Sequence, residues 1–236
     1  MVITGIKFVV KHGMLQFQIQ QGRVDTYWEV DNVMWKPVND ITEEIHAARL
    51  GTMLRGKTPK VKENEDFLVI TIEENNGINF DDLQAPYGYV LTGVRFKLSD
   101  NTKEVSPKRV EISLIATEYN PDTGKLCTTC DKQIITSSVT HDKKYLMRQC
   151  PIQAQFPTVP VSGEGQYVVI DTSSVVGDKA QHTLPFFDAL PLETQPSSAV
   201  AGLRLFHKTA GNFPGLVSLK FFIPDYTQHM ENIMYH

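Results

Sequence analysis

A chain of 236 residues with 41% hydrophobic residues can bury a full core, and Lys+Arg 23 against Asp+Glu 27 leaves a formal charge of −4. That balance offers no electrostatic footprint for a phosphate backbone, so nucleic acid is not an expected partner. Apolar runs such as "SLKFFIP" and "QYVVID" are broken by Lys, Asp or Pro far short of the roughly 18 residues a helical membrane span requires.

In chain order, "VITGIKFVV" from Val2 alternates apolar and polar side chains, with Ile6, Phe8 and Val10 on one face and Lys7 between them. The opening "MVITGIKFVV" is read as fold rather than as a leader, because its pattern returns inside the chain. After the short turn "KHG", the run "MLQFQIQ" places Leu15, Phe17 and Ile19 opposite Gln16, Gln18 and Gln20. The segment "NDITEEIHAARLGTML" has Asp40 three residues before Glu43, like a capping box, and Ile41, Ile45 and Ala48 at helical spacing, which predicts at most one short helix near 41–54. "FLVITIE" (67–73), "YVLTGVRFKL" (89–98), "RVEISLI" (109–115), "QYVVID" (166–171), "AVAGLRLFH" (199–207) and "LVSLKFF" (216–222) read as strands, and "NPDTGK" (120–125) as a turn. A hairpin is expected with strands over about 126–136 and 143–150.

The pattern Gly–apolar–cation–apolar occurs three times, on Gly5, Gly93 and Gly202, with Lys7, Arg95 and Arg204 facing outward. Each copy is followed by a second alternating run, so each reads as a hairpin whose turn differs: "KHG", "SDNTKEVSPK" and "KTAGNFPG". The flanks recur too, Phe80-Asp81 matching Phe187-Asp188 and Leu83 matching Leu190. These spacings exceed solenoid periods and suit one several-stranded sheet per repeat. The expected fold is a single all-β domain over 1–236, with three pseudo-equivalent antiparallel units at about 1–75, 76–185 and 186–236; a sandwich or closed barrel is the alternative.

Three units built on a "TG[VI][RK]F"-like strand resemble a β-prism, the threefold arrangement of jacalin-type lectins and vitelline-membrane outer-layer protein. The phrases "PYGYVLTGVRF", "VEISLIATEYNPDTGKL" and "HTLPFFDALPL…AVAGLRLFHK" are similar to those of a group of uncharacterised arthropod (insect-type) proteins. The β-prism resemblance implies a fold and, by analogy, sugar or matrix binding. The Gly-x-x-x-Asp loop of jacalin-type sites has no counterpart in a corresponding place.

Candidate chemistry is sparse. Cys127, Cys130, His141 and Cys150 offer four zinc-compatible donors, against which stand a disulfide between Cys150 and one of the pair with the third thiol free, and three unlinked thiols. Asp81 and Asp82, with Asn79 ahead and Asp188 in the matching flank, are calcium candidates or simple turn caps. Trp28, Trp35, Tyr87, Tyr89, His207 and Phe213 lie in or near turns and are candidate ligand-stacking groups. Gly-x-Ser-x-Gly, His-Glu-x-x-His and phosphate-loop motifs are missing, so no catalytic residue and no cofactor is assigned.

The expected function is that of a non-enzymatic extracellular or secreted structural or binding protein: a matrix, coat or body-fluid component whose partner is a second copy or carbohydrate. A lectin-like module is the first alternative and a pigment or lipid carrier the next. A polysaccharide-modifying enzyme would need a carboxylate pair from Asp81, Asp82 and Asp188.

Overall fold

The computed structural model describes residues 1–25, 29–51, 56, 58–71, 73–99, 108–120, 123–139, 143–146, 159–160, 162–173, 175–176, 179–209 and 215–225. Its strands are β1 (Val2–Lys11), β2 (Met14–Val24), β3 (Val30–Trp35), β4 (Gly77–Phe80), β5 (Asp82–Gln84), β6 (Tyr89–Leu98), β7 (Arg109–Asn120), β8 (Lys125–Leu126), β9 (Gln133–Ile135) and β10 (Lys144–Tyr145). There follow β11 (Val159–Pro160), β12 (Gln166–Val169), β13 (Asp171–Thr172), β14 (Thr183–Leu184), β15 (Phe186–Phe187), β16 (Leu192–Glu193), β17 (Gly202–Thr209) and β18 (Leu216–Phe222). One short helix, α1 (Thr42–Leu50), interrupts them.

The three glycine strands form three hairpins, β1–β2, β6–β7 and β17–β18, each in a different sheet. Alternation explains why. Ile6, Phe8, Leu91, Ile112, Leu114, Leu203, Leu205, Val217 and Leu219 from all three hairpins form one buried cluster, so a single apolar centre holds the sheets together. A smaller cluster gathers Val2, Val90 and Ala199, each three residues ahead of its glycine, with Val24 and Tyr119. Val10 departs from the expected inward set and is 74% exposed, because β1 runs past the end of the core there.

At Gly5 and Gly93 the ladder carries one extra residue. Ile3 pairs with Gln21 and Gly5 with Gln20, which leaves Thr4 in a bulge; Leu91 pairs with Ala116 and Gly93 with Ile115, which does the same for Thr92. Ala201 donates to the Phe222 carbonyl (2.9 Å) while Gly202 also faces Phe222. The Thr4 hydroxyl donates to Gln20 Oε1 (2.8 Å), and the Thr92 and Thr117 hydroxyls share a hydrogen bond of 2.8 Å. Glycine is required where strands come this close: a Cβ on Gly202 would sit 2.4 Å from the Leu83 carbonyl oxygen.

The flanks do something the alternation alone does not announce. β4 runs parallel to β7, and β15 runs parallel to β18, so each flank begins on its own hairpin. The chain then crosses to a neighbouring sheet: β5 adds antiparallel to β17, and β16 adds antiparallel to β1. Leu83 stands opposite Leu203 and Leu192 opposite Ile6. The flanks therefore match through Leu83 and Leu192, two residues beyond the expected Leu190, which is 74% exposed.

Three other expectations are corrected. Among the described residues "FLVITIE" joins no ladder beyond an isolated bridge between Glu63 and Phe67; Thr71 closes a turn on Glu74 instead (3.0 Å), so β propensity alone makes no strand here. The segments at 126–136 and 143–150 do not form a hairpin among the described residues: β8 and β9 both pair with β7, whereas β10 runs parallel to β12. In α1, Asp40 accepts from the Thr42 amide (3.1 Å) and hydroxyl (2.6 Å), and these bonds hold its carboxyl below the ordinary range; Ile41 takes the cap position and Gly51 ends the helix at φ 63°.

Candidate functional site

Two places gather polar side chains. The first lies where β4 gives way to β5. Asp81 is buried and paired with Lys143, and it accepts from the Gly165 amide (3.2 Å). Both side chains of the pair are almost fully enclosed, at 5% and 2% exposure. Beside them Glu111 accepts from Asn79 Nδ2 (3.1 Å) and faces Lys97 Nζ at 3.7 Å. Burial pushes the Glu111 carboxyl up, and the Asn79 hydrogen bond and the two lysines only partly offset it. Asp82 points the other way, to Arg204 Nη1 at 3.0 Å across the β5–β17 register. Asp188 caps the Leu190 amide (3.2 Å) and accepts from the Ser218 hydroxyl (2.7 Å). Each of these acids is thus engaged by protein donors: Asp188 caps its own turn, whereas Asp81, Asp82 and Glu111 are held by groups distant in sequence.

The second place is a groove of about 500 Å³ between β16 with its following turn and the β17–β18 hairpin. Its walls include Leu192, Pro196, Phe206, Phe221 and Ile223, and its polar rim Glu193, Gln195, Ser198 and Lys220. Phe206 and Phe221 line it from opposite faces of the hairpin: β17 puts Leu203, Leu205 and His207 on the core side and Phe206 away from it, whereas Phe221 stands opposite Leu203. Lys208 Nζ lies 5.1 Å from the Phe206 ring centre. Flat apolar walls beside amide, hydroxyl and carboxylate groups suit a small ligand with both apolar faces and hydroxyls.

The sequence candidates scatter. Trp35 ends β3 beneath Lys7 Nζ, 4.4 Å from the ring centre. Tyr89 packs against the core, and Tyr87 is 53% exposed in the turn before β6. His207 is 3% exposed on the core side, 6.2 Å from the Phe80 ring; it is a packed histidine and not a turn ligand. Trp28, Phe213, His141 and Cys150 lie outside the described residues. Cys127 and Cys130 are bonded to each other as a disulfide, Cα to Cα 5.5 Å, so neither is joined to Cys150 and neither offers a thiolate to zinc beside Glu118. Phe206 and Phe221 were not among the sequence candidates. The period of two through Gly202 carries the signal for Phe206, which falls in phase with the outward cation Arg204.

No family model matches the chain, and no curated protein is similar to it.

Proposed function

We propose that the chain is a non-enzymatic binding protein on a β-prism-like frame, and that the groove beside β16 and the β17–β18 hairpin holds a carbohydrate-like ligand. The three hairpins with matched glycines and one shared core, two of them with matched bulges, support the prism reading. The observation that carries the binding reading is the meeting of Phe206, Phe221 and Pro196 with Glu193, Gln195 and Lys220 around one opening. Rings cover the apolar face of a sugar while amides and charges take its hydroxyls. Glu193 is the single carboxylate among the described lining residues, whereas glycoside hydrolysis uses two, so holding a ligand fits better than cleaving one. The disulfide between Cys127 and Cys130 supports an oxidising, extracellular setting of the matrix, coat or body-fluid kind.

The test is a glycan array followed by calorimetry on the best binder. Loss of one stacking ring costs about tenfold or more in affinity, so Phe206→Ala should weaken binding by that factor while the circular dichroism spectrum is unchanged. Glu193→Gln should weaken it less. No binder on the array, or binding indifferent to Phe206→Ala and Phe221→Ala alike, removes the reading.

A further inference from the structure

The two flanks cover two of the three glycine strands. On β17 the added strand β5 sets Asp82 opposite Arg204, Leu83 opposite Leu203 and Gln84 opposite Gly202, and the Ala85 amide then reaches the Ala201 carbonyl (2.7 Å) before Pro86. On β1 the added strand β16 sets Leu192 opposite Ile6 and Glu193 opposite Gly5, and the Thr194 amide reaches the Thr4 carbonyl (3.0 Å), with Pro196 two residues on. The same short phrase therefore docks twice, in the same register, on the same kind of strand. Beneath these strands Ile6 and Leu203 are 0% and 1% exposed.

Among the described residues the third glycine strand, β6, has β7 as its one ladder partner; at its start the Leu91 amide donates to the Val200 carbonyl (2.8 Å), and from Thr92 onward no second strand is added. Ser99 donates to the Arg109 carbonyl (2.8 Å), and by the alternation of an antiparallel ladder the amides of Gly93, Arg95 and Lys97 turn to β7 while those of Val94 and Phe96 turn to the open edge. Val94 and Phe96 pack against the core from one side and remain half-buried. The side chain of Arg95, which corresponds to Arg204, is exposed and meets no ion-pair or hydrogen-bond partner among the described residues. The three atoms nearest a Cβ on Gly93 belong to Ile115 of its own hairpin, the first Cδ1 at 3.1 Å, whereas the atom nearest one on Gly202 belongs to the covering strand. The edge thus lacks what both of its counterparts have.

We infer that β6 is a docking edge for an extended segment of another polypeptide, added antiparallel over Thr92–Arg95, with an acidic residue facing Arg95, a leucine facing Val94, a long polar residue facing Gly93 and a small residue whose amide binds the Thr92 carbonyl. The two internal strands define that specification, and the unpartnered Arg95 where Arg204 meets Asp82 selects the acid. Backbone hydrogen bonds supply most of the attachment and the leucine and acid set the register.

The probe is a capped, dye-labelled peptide copying residues 80–87, FDDLQAPY, titrated with the full chain and followed by fluorescence anisotropy. Saturable one-to-one binding is expected. N-methylation of the peptide's leucine amide, which removes one ladder bond without altering the protein, should abolish it. Arg95→Glu should weaken binding about five- to tenfold, and a peptide with arginine in place of the second aspartate should recover on that variant what it loses on the wild type. Arg204→Glu should leave the peptide affinity within about twofold. No binding at millimolar protein, binding insensitive to both N-methylation and Arg95→Glu, or a dimer of the chain that Arg95→Glu dissolves would each overturn the proposal, the last by giving the edge to a second copy. None of these outcomes depends on whether the groove takes a sugar.

Discussion

A methyl group added at Gly202 should cost far more than one added at Gly93. At Gly202 the new Cβ lies 2.4 Å from a backbone oxygen, Leu83 O, and 3.0 Å from Phe222 Cβ, so β5 has to lift from β17. Lifting loses the ladder bonds around the Ala85–Ala201 contact and the ion pair between Asp82 and Arg204. With a net value of about 1 kcal/mol per hydrogen bond and 1–3 kcal/mol for overpacking, Gly202→Ala should destabilise by about 3 kcal/mol. At Gly93 the three nearest atoms are side-chain atoms of Ile115, Cδ1 at 3.1 Å, Cβ at 3.2 Å and Cγ1 at 3.4 Å, and none is a backbone oxygen. A shift of a few tenths of an ångström there is offset by the roughly 0.5–1 kcal/mol gained on replacing a strand glycine, so Gly93→Ala should stay within about 1 kcal/mol of wild type. For a chain of this size about 3 kcal/mol lowers the melting temperature by about 6–12 °C. Thermal and urea unfolding of both variants, followed by circular dichroism, makes the comparison. Equal losses at the two positions would refute the reasoning, since they would mean that the covering strand makes no difference.

Asp81→Asn leaves the enclosed Lys143 charge without its partner and should cost about 3–5 kcal/mol, whereas replacing both by apolar residues of similar size should recover most of it; urea midpoints of the single and double variants decide. Glu111 has its carboxyl raised above the ordinary value of 4.5 by burial, so the ionised form opposes folding at neutral pH and the opposition fades as pH falls through the raised value. Glu111→Gln, which can still accept from Asn79, should therefore be more stable than wild type at pH 7, with an advantage that shrinks toward pH 4.5; a constant difference contradicts this. The bond between Cys127 and Cys130 closes a loop of only four residues, so replacing both by serine should cost no more than about 2 kcal/mol. Peptide mapping without reductant should recover the two in one linked loop.

Much of the frame was legible because a period of two is a local signal. β1, β2, β6, β7, β17 and β18 alternate for seven residues or more, and their inward residues are those of the shared core. What was not legible is short or distant. β5 and β16 have three and two residues, too few for a pattern, yet they carry the crossing between sheets. The two-residue slip from Leu190 to Leu192 is set by the register on Ile6, which no local comparison of flanks contains. "FLVITIE" has strand composition but closes a turn at Thr71, and the groove forms from residues about as far apart as Glu193 and Phe221. His207 shows the opposite failure: counted in phase with Leu203 and Leu205 it was already a core residue, and its nearness to a turn obscured that.

Residue-resolved amide hydrogen exchange on the unliganded chain tests most directly whether two glycine strands are covered and the third is open. The amides of Ile6 and Leu203, which face β16 and β5, should exchange at least about 100-fold more slowly than that of Val94. Equal protection at Ile6, Val94 and Leu203 would contradict the account, because β6 would then be paired like the other two.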